Sequence, residues 1–345
     1  MASPNVFAAL LAAWIVATLA MIRMLDYPLR GAPALGPGDF VRTPARAPVL
    51  LAGRDGRRRA SVAARGDAMR ISVMQINAGA DKSQNIAQAR RLFETAHAAD
   101  APGLLALPEM WSCLGGDRAT KFAAAEALPA EGSGEAGGEA YEFLRGMARG
   151  LGVAVHGGSI AERVGELLFN TTVVFDRDGR ELGRYRKIHL FDITAPDGTG
   201  YRESATYGAG EAVVTLLLGG VTLGLSICYD LRFPELFLAL RQAGAELILV
   251  PAAFTLQTGR DHWEVLLRAR AIETQCWVAA PATWGQHQDP GGARTTFGHA
   301  LVCDPWGGVV ARASDGVGWA SARIDTAMTA RVRRDMPVLE HRRLA

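Results

Sequence analysis

The sequence predicts a mixed α/β fold in which two β-sheets carry helices on their outer faces. From Met69 onward, short apolar strands alternate with helical segments, and the number of strands is too large for one compact sheet. Hairpin turns such as residues 304–307 (DPWG) occur between the helical crossovers. With 345 residues and 49% hydrophobic content, the chain can bury a sizeable core.

The N-terminal residues 6–22 form an uncharged apolar run at the short limit for a membrane-spanning helix. No basic side chain precedes the run and the arginines follow it, so the positive-inside rule places the rest of the chain in the cytoplasm. Two interpretations stay open. Residues 1–22 either anchor the protein to the inner face of the membrane or form an untranslated extension, with Met69 as a natural start.

Residues 23–68 are predicted to be a flexible linker. They are rich in Pro, Gly, Ala and Arg, lack periodicity, and include three consecutive arginines at 57–59. Such a composition buries too little apolar area to offset chain entropy, and its charge would attract anionic lipid if the anchor exists. Residues 69–345 are predicted to be one globular domain.

The first half of this domain is predicted from alternating and helical apolar periodicity. It gives strands at 70–77, 104–107, 153–158 and 171–175, and helices at 81–99, which has a polar start, and 140–150. In the second half, apolar β-branched runs predict strands at 213–218, 221–227, 247–250, 276–280, 300–304, 309–312 and 318–324. Helices are predicted at 233–242, where Pro234 suits a first turn, and at 263–274.

Composition excludes several classes of function. A formal net charge of +2 is near neutral, and no basic stripe interleaved with aromatic residues supports nucleic-acid binding. The four cysteines are scattered, with no CxxC pair and no histidine at metal-ligand spacing. This pattern favours reduced thiols and argues against a zinc site or a disulfide framework.

Cys228 is the strongest candidate nucleophile, because it lies on a predicted turn from a strand to a helix. Backbone N–H groups at such a helix entrance can face an oxyanion or lower the pKa of a thiol. The alternative is that Cys228 is a small buried hydrophobic residue, which is the usual state of a free cysteine. Cys276 and Cys303 lie within apolar strands and are predicted to be core residues.

Two other polar residues follow apolar stretches. Glu109 comes after the strand at 104–107, and Pro108 bends the chain so that the carboxylate emerges at the carboxyl edge of a sheet. Lys187 has apolar neighbours, which indicates a partly buried ammonium. Taken singly, each could also be an exposed surface charge.

A carboxylate, an ammonium and a thiol are the minimum set for acyl transfer from an amide. Glu109 could accept the proton of Cys228 and return it to the departing nitrogen. The ammonium of Lys187 and the backbone N–H of Tyr229 could stabilise the oxyanion. The cycle would form a thioester, release ammonia, and then use Glu109 to activate water.

These stretches carry a resemblance to a known family. LALPEM, YRKIHLFD and ICYDLRFPEL match, in chain order, the Glu, Lys and Cys signatures of the nitrilase superfamily of carbon-nitrogen hydrolases. The resemblance implies a four-layer αββα sandwich, a triad of Glu109, Lys187 and Cys228, no metal or organic cofactor, and at least a homodimer. It also matches Glu203, otherwise a loop carboxylate, to a second glutamate that positions substrate and lysine.

A narrower resemblance concerns the substrate. Residues 262–278 and 304–307 are similar to the branch that contains deaminated glutathione amidase and omega-amidase. This implies hydrolysis of a terminal primary amide of a small carboxylated substrate to acid plus ammonia. Deaminated glutathione is the first choice of substrate, and 2-oxoglutaramate or 2-oxosuccinamate is the alternative.

Substrate-binding residues are predicted near Cys228. The resemblance assigns Arg232 to a substrate carboxylate, although an ion pair with Glu235 or Asp230 is an equal alternative. Phe254 and Thr258 follow the strand at 247–250 and match substrate-contacting positions of the branch, and Tyr229 adjoins the thiol.

Four nearby residues are given structural roles. Asp230 and Glu235 are expected to fix the turn and cap the helix. His189 is expected to point away from Lys187 if strand alternation holds. Cys113 is expected to line the pocket or to be inert.

Two further classes remain as alternatives. A membrane acyltransferase could use the same triad but usually needs several spans, and the sequence offers one candidate span. A membrane-tethered, non-catalytic nitrilase-like scaffold is the alternative outside enzymes. All four family positions are present, which argues against a silent scaffold.

Overall fold

Two β-sheets packed face to face form the centre of the molecule in the computed structural model. The structure describes residues 49–51, 69–195, 198–289 and 292–344. Within these residues the first sheet has seven strands in the order β1-β11-β12-β13-β14-β17-β18. Its strands are β1 (Val49–Leu51), β11 (Val213–Leu218), β12 (Val221–Leu225), β13 (Leu247–Leu249), β14 (Trp277–Ala280), β17 (Leu301–Cys303) and β18 (Val309–Arg312).

The second sheet has ten strands within the described residues, with β10-β6-β4-β3-β2-β15-β16 as its main path. Its strands are β2 (Met69–Ile76), β3 (Leu104–Ala106), β4 (Ala154–His156), β5 (Ile160–Val164), β6 (Leu167–Phe175), β7 (Glu181–Arg186), β10 (Tyr207–Gly208), β15 (Ala282–Asp289), β16 (Gly292–Phe297) and β19 (Gly318–Ile324). A separate small ribbon pairs β8 (Asp192–Thr194) with β9 (Gly200–Arg202).

The central strands of both sheets run parallel because helices connect them. In the second sheet β2, β3 and β4 are parallel neighbours, and in the first sheet β12, β13 and β14 are. The helices are α1 (Lys82–Asp100), α2 (Arg118–Ala124), α3 (Glu139–Leu151), α4 (Pro234–Gln242), α5 (Leu256–Thr274) and α6 (Thr326–Asp335). Helical crossovers of this kind cover the outer faces of parallel strands.

Strand alternation builds two cores at once. On β2, Ile71 and Val73 join the apolar cluster shared with the first sheet, which continues to α4 and α5. The intervening side of the same strand sends Met74 and Ile76 into a second cluster, where they meet Phe93 of α1 and α3 side chains. Both faces of the sheet are therefore buried, as a period of two residues requires. The predicted αββα sandwich is confirmed.

Most predicted elements are present with small shifts at their ends, but several were missed. Helix α5 begins at Leu256, seven residues before the predicted start, because Thr255 caps it by accepting the N–H of Thr258. The hairpin of β15 and β16, and helices α2 and α6, had no counterpart in the sequence prediction. The hairpin and α6 are largely polar, and α2 (RATKFAA) is a short helix without a buried residue, so apolar periodicity gives no signal there.

The predicted linker differs from the structure at one place. Residues 49–51 form β1, which pairs parallel to β11 at the edge of the first sheet. A short apolar VLL segment can extend a sheet through backbone hydrogen bonds alone. The predicted anchor at residues 6–22 lies outside the described residues. Of the helices in the described part of the chain, none has the length and apolar character needed to cross a membrane.

Candidate active site

Cys228 lies on a sharp bend between a strand and a helix, as predicted. Strand β12 ends at Leu225, residues Cys228–Arg232 form a short 3₁₀ helix, and α4 begins at Pro234. Cys228 has φ of +48°, a left-handed conformation that is costly for a residue with a side chain. Its backbone N–H donates to the Pro251 carbonyl at 2.9 Å, which helps to hold the bend.

Asp230 fixes this bend. Its Oδ2 accepts hydrogen bonds from the Ile227 N–H at 2.9 Å and from the Tyr185 hydroxyl at 2.7 Å. Its Oδ1 accepts the His189 N–H at 3.0 Å and lies 2.7 Å from the ring Nδ1 of His189. The expected structural role of Asp230 is confirmed. His189 is held away from Lys187 by this carboxylate rather than by strand alternation, because β7 ends at Arg186.

Glu109 projects from the turn after β3 and is only 5% exposed. Its Oε1 accepts hydrogen bonds from Lys187 Nζ at 2.8 Å and from Asn170 Nδ2 at 2.9 Å. Its Oε2 accepts the Ala253 N–H at 3.0 Å. The carboxylate also interacts with the Cys228 thiol and raises the pKa of that thiol. Glu109 is thus held by three donors and borders the same cavity as Cys228.

Lys187 is 1% exposed and lies between two carboxylates. Its Nζ is 2.8 Å from Glu109 Oε1 and 2.8 Å from Glu203 Oε2. Burial disfavours the ammonium, but the charges of Glu109 and Glu203 outweigh this effect and hold the pKa of Lys187 well above its usual range. The raised pKa of Lys187 favours the ammonium form, which disfavours a role as a base.

Glu203 begins a single 3₁₀ turn, Glu203–Ala205, beside this ammonium. Besides Lys187, its Oε2 accepts the backbone N–H of Phe191 at 2.7 Å. Its Oε1 accepts Asn170 Nδ2 at 3.1 Å. The structure therefore joins Glu109, Lys187 and Glu203 in one hydrogen-bonded cluster, and Cys228 borders the same cavity.

Asn170 on β6 completes the cluster and was missed in the sequence analysis. Its Nδ2 bridges Glu109 and Glu203, while its Oδ1 is buried without a hydrogen-bond partner in the described part of the chain. An unpartnered buried amide oxygen costs about 1–3 kcal/mol. The signal in the sequence was an amide in the middle of the apolar strand LLFNTTVVF, where a core strand needs none.

The Cys228 thiol differs from one expectation. Burial, reinforced by the negative charge of Glu109, raises the pKa of Cys228 well above its usual range, although Lys187 opposes the shift. The helix entrance therefore does not lower the pKa of Cys228 below its usual value, contrary to the expectation. A neutral thiol next to a carboxylate needs that carboxylate to remove its proton during attack.

A cavity of about 380 Å³ opens over the cluster, within the usual size range for small-molecule sites. Arg232, Tyr229, Phe254 and Thr258 all border it, as do Glu109, Lys187, Cys228 and Glu203. Arg232 forms no ion pair with Glu235 or Asp230 within the described residues. Its guanidinium lies 5.3 Å from the centroid of the Phe254 ring, with Nη1 3.3 Å from His262 Nδ1.

The remaining cysteines behave as structural residues. Cys113 borders the cavity and is 3% exposed, and burial raises its pKa. Cys276 and Cys303 are fully buried in the core, as predicted. Within the part of the chain that the structure describes, no group of three or more His, Cys, Asp or Glu side chains is arranged to hold a metal ion.

Comparison with known proteins agrees with this architecture. Residues 70–334 match the model of the carbon-nitrogen hydrolase family. A deaminated glutathione amidase from Synechocystis sp. is 39% identical over 277 residues, which is 79% of this chain and 97% of the relative. The human deaminated glutathione amidase is 40% identical over 281 residues, which is 79% of this chain and 82% of the relative.

Solved structures show the same likeness. The crystal structure of Saccharomyces cerevisiae Nit3, a member of branch 10 of the nitrilase superfamily, matches with a TM-score of 0.71 and 27% identity. The match covers 81% of this chain and 97% of that one. The chain therefore belongs to the carbon-nitrogen hydrolase family, within the nitrilase superfamily, and is an amidase of the branch that contains the deaminated glutathione amidases.

Proposed function

We propose that the protein hydrolyses an amide of a small carboxylated 2-oxo acid, with deaminated glutathione as the first candidate, through a thioester on Cys228. The cluster of Glu109, Lys187 and Glu203 around the Cys228 thiol, at the base of one cavity, is the observation that carries this proposal. The names of the relatives from Synechocystis and human support the choice of substrate.

Acylation begins with attack of the Cys228 sulfur on the amide carbon. Glu109, whose carboxylate interacts with the thiol, takes the thiol proton as the carbon-sulfur bond forms. Lys187 and the backbone N–H of Tyr229, in the first turn of the 3₁₀ helix, stabilise the negative oxygen. Glu109 then gives its proton to the nitrogen, the carbon-nitrogen bond breaks, and the amine leaves a thioester behind.

Deacylation uses the same groups in reverse. Glu109 removes a proton from water, the hydroxide attacks the thioester carbon, and the carbon-sulfur bond breaks to give the carboxylic acid. The proton returns from Glu109 to the Cys228 sulfur. Glu203, with Asn170, holds Lys187 and Glu109 in register.

The identity of the substrate sets the leaving group. The amides of glutathione are secondary, so cleavage at the 2-oxo acid side of deaminated glutathione releases a cysteinyl dipeptide amine. The omega-amidase substrates 2-oxoglutaramate and 2-oxosuccinamate are primary amides and release ammonia. Both kinds carry a carboxylate next to the 2-oxo group, for which Arg232 is the proposed partner, with Phe254 and Thr258 as walls of the cavity.

A panel of amides tests the proposal. Purified protein is incubated with deaminated glutathione, 2-oxoglutaramate, 2-oxosuccinamate and a neutral aliphatic amide, and both ammonia and the free amine are measured. The expected result is the highest kcat/KM for deaminated glutathione with release of the dipeptide. Preference for 2-oxoglutaramate would establish the omega-amidase alternative. Absence of turnover on every member of the panel would favour the non-catalytic scaffold.

We also propose a homodimer that forms through the outer face of α5. Val265 and Ile272 on this helix are 67% and 51% exposed, and Trp306 of the adjacent turn is 60% exposed. Arg268 Nε donates to the Gly307 carbonyl at 2.8 Å, so the turn and the helix form one surface. A contiguous apolar patch of this kind marks an association site.

Light scattering after size-exclusion chromatography tests the dimer. Ile272→Glu is expected to convert the protein to monomer. The matched control is Leu217→Glu, since Leu217 is 69% exposed on β11, away from α5. A dimer that survives Ile272→Glu would place the interface elsewhere.

The role of residues 1–68 stays a proposal in the two forms given above, because the predicted anchor lies outside the described residues. A protein that begins at Met69 is expected to keep the full amidase activity. Loss of activity in that protein would make the N-terminal segment part of the working enzyme. Membrane fractionation of the full-length chain tests the anchor directly.

A further inference from the structure

The wall of the cavity carries more positive than negative charge. Among the described residues, six cationic side chains and four carboxylates border it, an excess of two positive charges. The cations are Arg118, Lys121, Lys187, Arg202, Arg232 and Arg294. A site with this balance is complementary to a ligand that carries two negative charges.

Most of these cations already have partners. Lys187 is paired with two carboxylates, and Arg294 Nε lies 2.8 Å from Asp289 Oδ2. Arg118 and Arg202 donate to backbone carbonyl groups. Within the described chain, the Arg232 guanidinium contacts only an imidazole and aromatic rings, and the Lys121 ammonium makes no hydrogen bond or ion pair. Two cations are therefore left for ligand carboxylates.

These two cations stand on different walls. Arg232 follows Cys228 by four residues and contacts His262 of α5 and the ring of Phe254. Lys121 lies on α2, and its charge acts on His287 of the β15–β16 hairpin. Both side chains border the cavity, so a ligand that uses both cations must reach from one to the other within it.

The wall that carries Lys121 is fixed against the hairpin. The N–H of Gly116, in the loop before α2, donates to the Gln288 carbonyl at 2.9 Å. Gly115 has φ of +87°, and a Cβ there would lie 2.4 Å from the same carbonyl oxygen. Only glycine allows this approach, which holds the loop before α2 against the hairpin that carries His287.

His287 has an unused hydrogen-bonding group at this wall. It is 9% exposed and borders the cavity, and its Nδ1 has no partner in the described part of the chain. Burial lowers the pKa of His287, so the ring is neutral near pH 7. Asp289 opposes this shift, and Arg294 and Lys121 add to it. A neutral imidazole keeps one N–H donor, which a carboxylate can accept.

We propose that Lys121 and His287 form a second anion subsite, which binds the carboxylate on the leaving-group side of a dianionic amide while Arg232 binds the carboxylate of the 2-oxo acid. This inference rests on the proposed function and narrows it. Deaminated glutathione carries a glycine carboxylate beyond the scissile amide, whereas 2-oxoglutaramate has only the 2-oxo acid carboxylate. The subsite therefore selects the peptide conjugate over the primary amide.

Binding to the full-length Cys228→Ala protein tests the subsite without turnover. Isothermal titration calorimetry compares deaminated glutathione with an analogue whose glycine carboxylate is a carboxamide. We expect the analogue to bind at least about 10-fold more weakly, the size of one charge-assisted hydrogen bond. Adding Lys121→Gln to the Cys228→Ala protein should weaken the binding of deaminated glutathione by a similar factor and leave the affinity for the analogue unchanged. Glutamine preserves helix propensity at this half-buried position.

The control variant is Arg91→Gln, which removes one exposed positive charge from α1 outside the cavity. Combined with Cys228→Ala, it should give the same ratio of the two ligand affinities as Cys228→Ala alone. If Lys121→Gln also leaves that ratio unchanged, the subsite is refuted while the proposed function stands. If Cys228→Ala binds neither ligand, and the amide panel shows no turnover, both the subsite and the proposed substrate are refuted.

Discussion

Replacement of Glu109 by glutamine separates the chemistry of this carboxylate from its packing. The amide oxygen of glutamine can still accept the hydrogen bonds from Lys187 and Asn170 that Glu109 Oε1 accepts at 2.8 and 2.9 Å. Its NH₂ group then takes the place of Oε2, which accepts the N–H of Ala253 at 3.0 Å. The NH₂ group is itself a donor, so this hydrogen bond is lost. The variant keeps its shape but loses the carboxylate that interacts with the Cys228 thiol.

The expected magnitude follows from these contacts. Loss of a positioned general base lowers a rate by about 10²–10⁴-fold, which is about 2.7–5.5 kcal/mol in the barrier. The unmade hydrogen bond to the Ala253 N–H costs about 1–3 kcal/mol of folding free energy. Glu109→Gln should therefore lower kcat by at least about 100-fold while the protein still folds.

Steady-state kinetics on deaminated glutathione measure the loss of kcat, and a thermal unfolding curve measures the loss of folding free energy. The matched control is Glu162→Gln, because Glu162 is 2% exposed and is bonded to Arg186 and Thr171 outside the cavity. This control should lose stability but keep kcat. A Glu109→Gln protein with kcat close to that of the unmodified protein would refute the assignment of Glu109 as the base.

Three further results are expected. Asn170→Leu should lower kcat about 10-fold with little change in KM, because it removes the donor that bridges Glu109 and Glu203; a change in KM alone would make Asn170 a binding residue. Arg232→Gln should raise KM for anionic amides by about 10-fold and leave neutral amides unaffected; equal effects on both would remove Arg232 from the carboxylate role. Since burial and Glu109 raise the pKa of Cys228, its alkylation by iodoacetamide should keep accelerating above about pH 9, where an ordinary thiol levels off; a plateau at neutral pH would indicate a preformed thiolate.

The fold could be predicted where apolar periodicity is strong. Strand β19 has the predicted bounds, and β2 and α1 differ from the prediction by one residue at each end, because one face of each must be buried. Helix α2 has no buried residue and the β15–β16 hairpin is largely polar, so their positions depend on tertiary contacts such as that between Gly116 and Gln288. The sequence therefore predicts the strands and helices of the core, but not α2 and the β15–β16 hairpin, which border the cavity.

The candidate site shows the same division. Glu109 and Cys228 each follow an apolar strand, and Lys187 follows the mixed strand ELGRYR with apolar residues nearby, so local pattern and family motifs locate them. Asn170 had a weaker signal, because its role depends on hydrogen bonds to two carboxylates, Glu109 and Glu203, which are 61 and 33 residues away in the chain. The raised pKa of Cys228 could not be predicted at all, since it depends on how deeply the folded chain buries the sulfur.

Trapping of the acyl-enzyme tests the central claim that Cys228 forms a thioester. The protein is mixed with deaminated glutathione, quenched in acid within the first turnovers, and examined by intact-mass and peptide mass spectrometry. We expect a mass increase equal to the 2-oxoglutaryl group, located on the peptide that contains Cys228, and no adduct or turnover with Cys228→Ala. Continued hydrolysis by Cys228→Ala, or an adduct on any other residue, would contradict the mechanism.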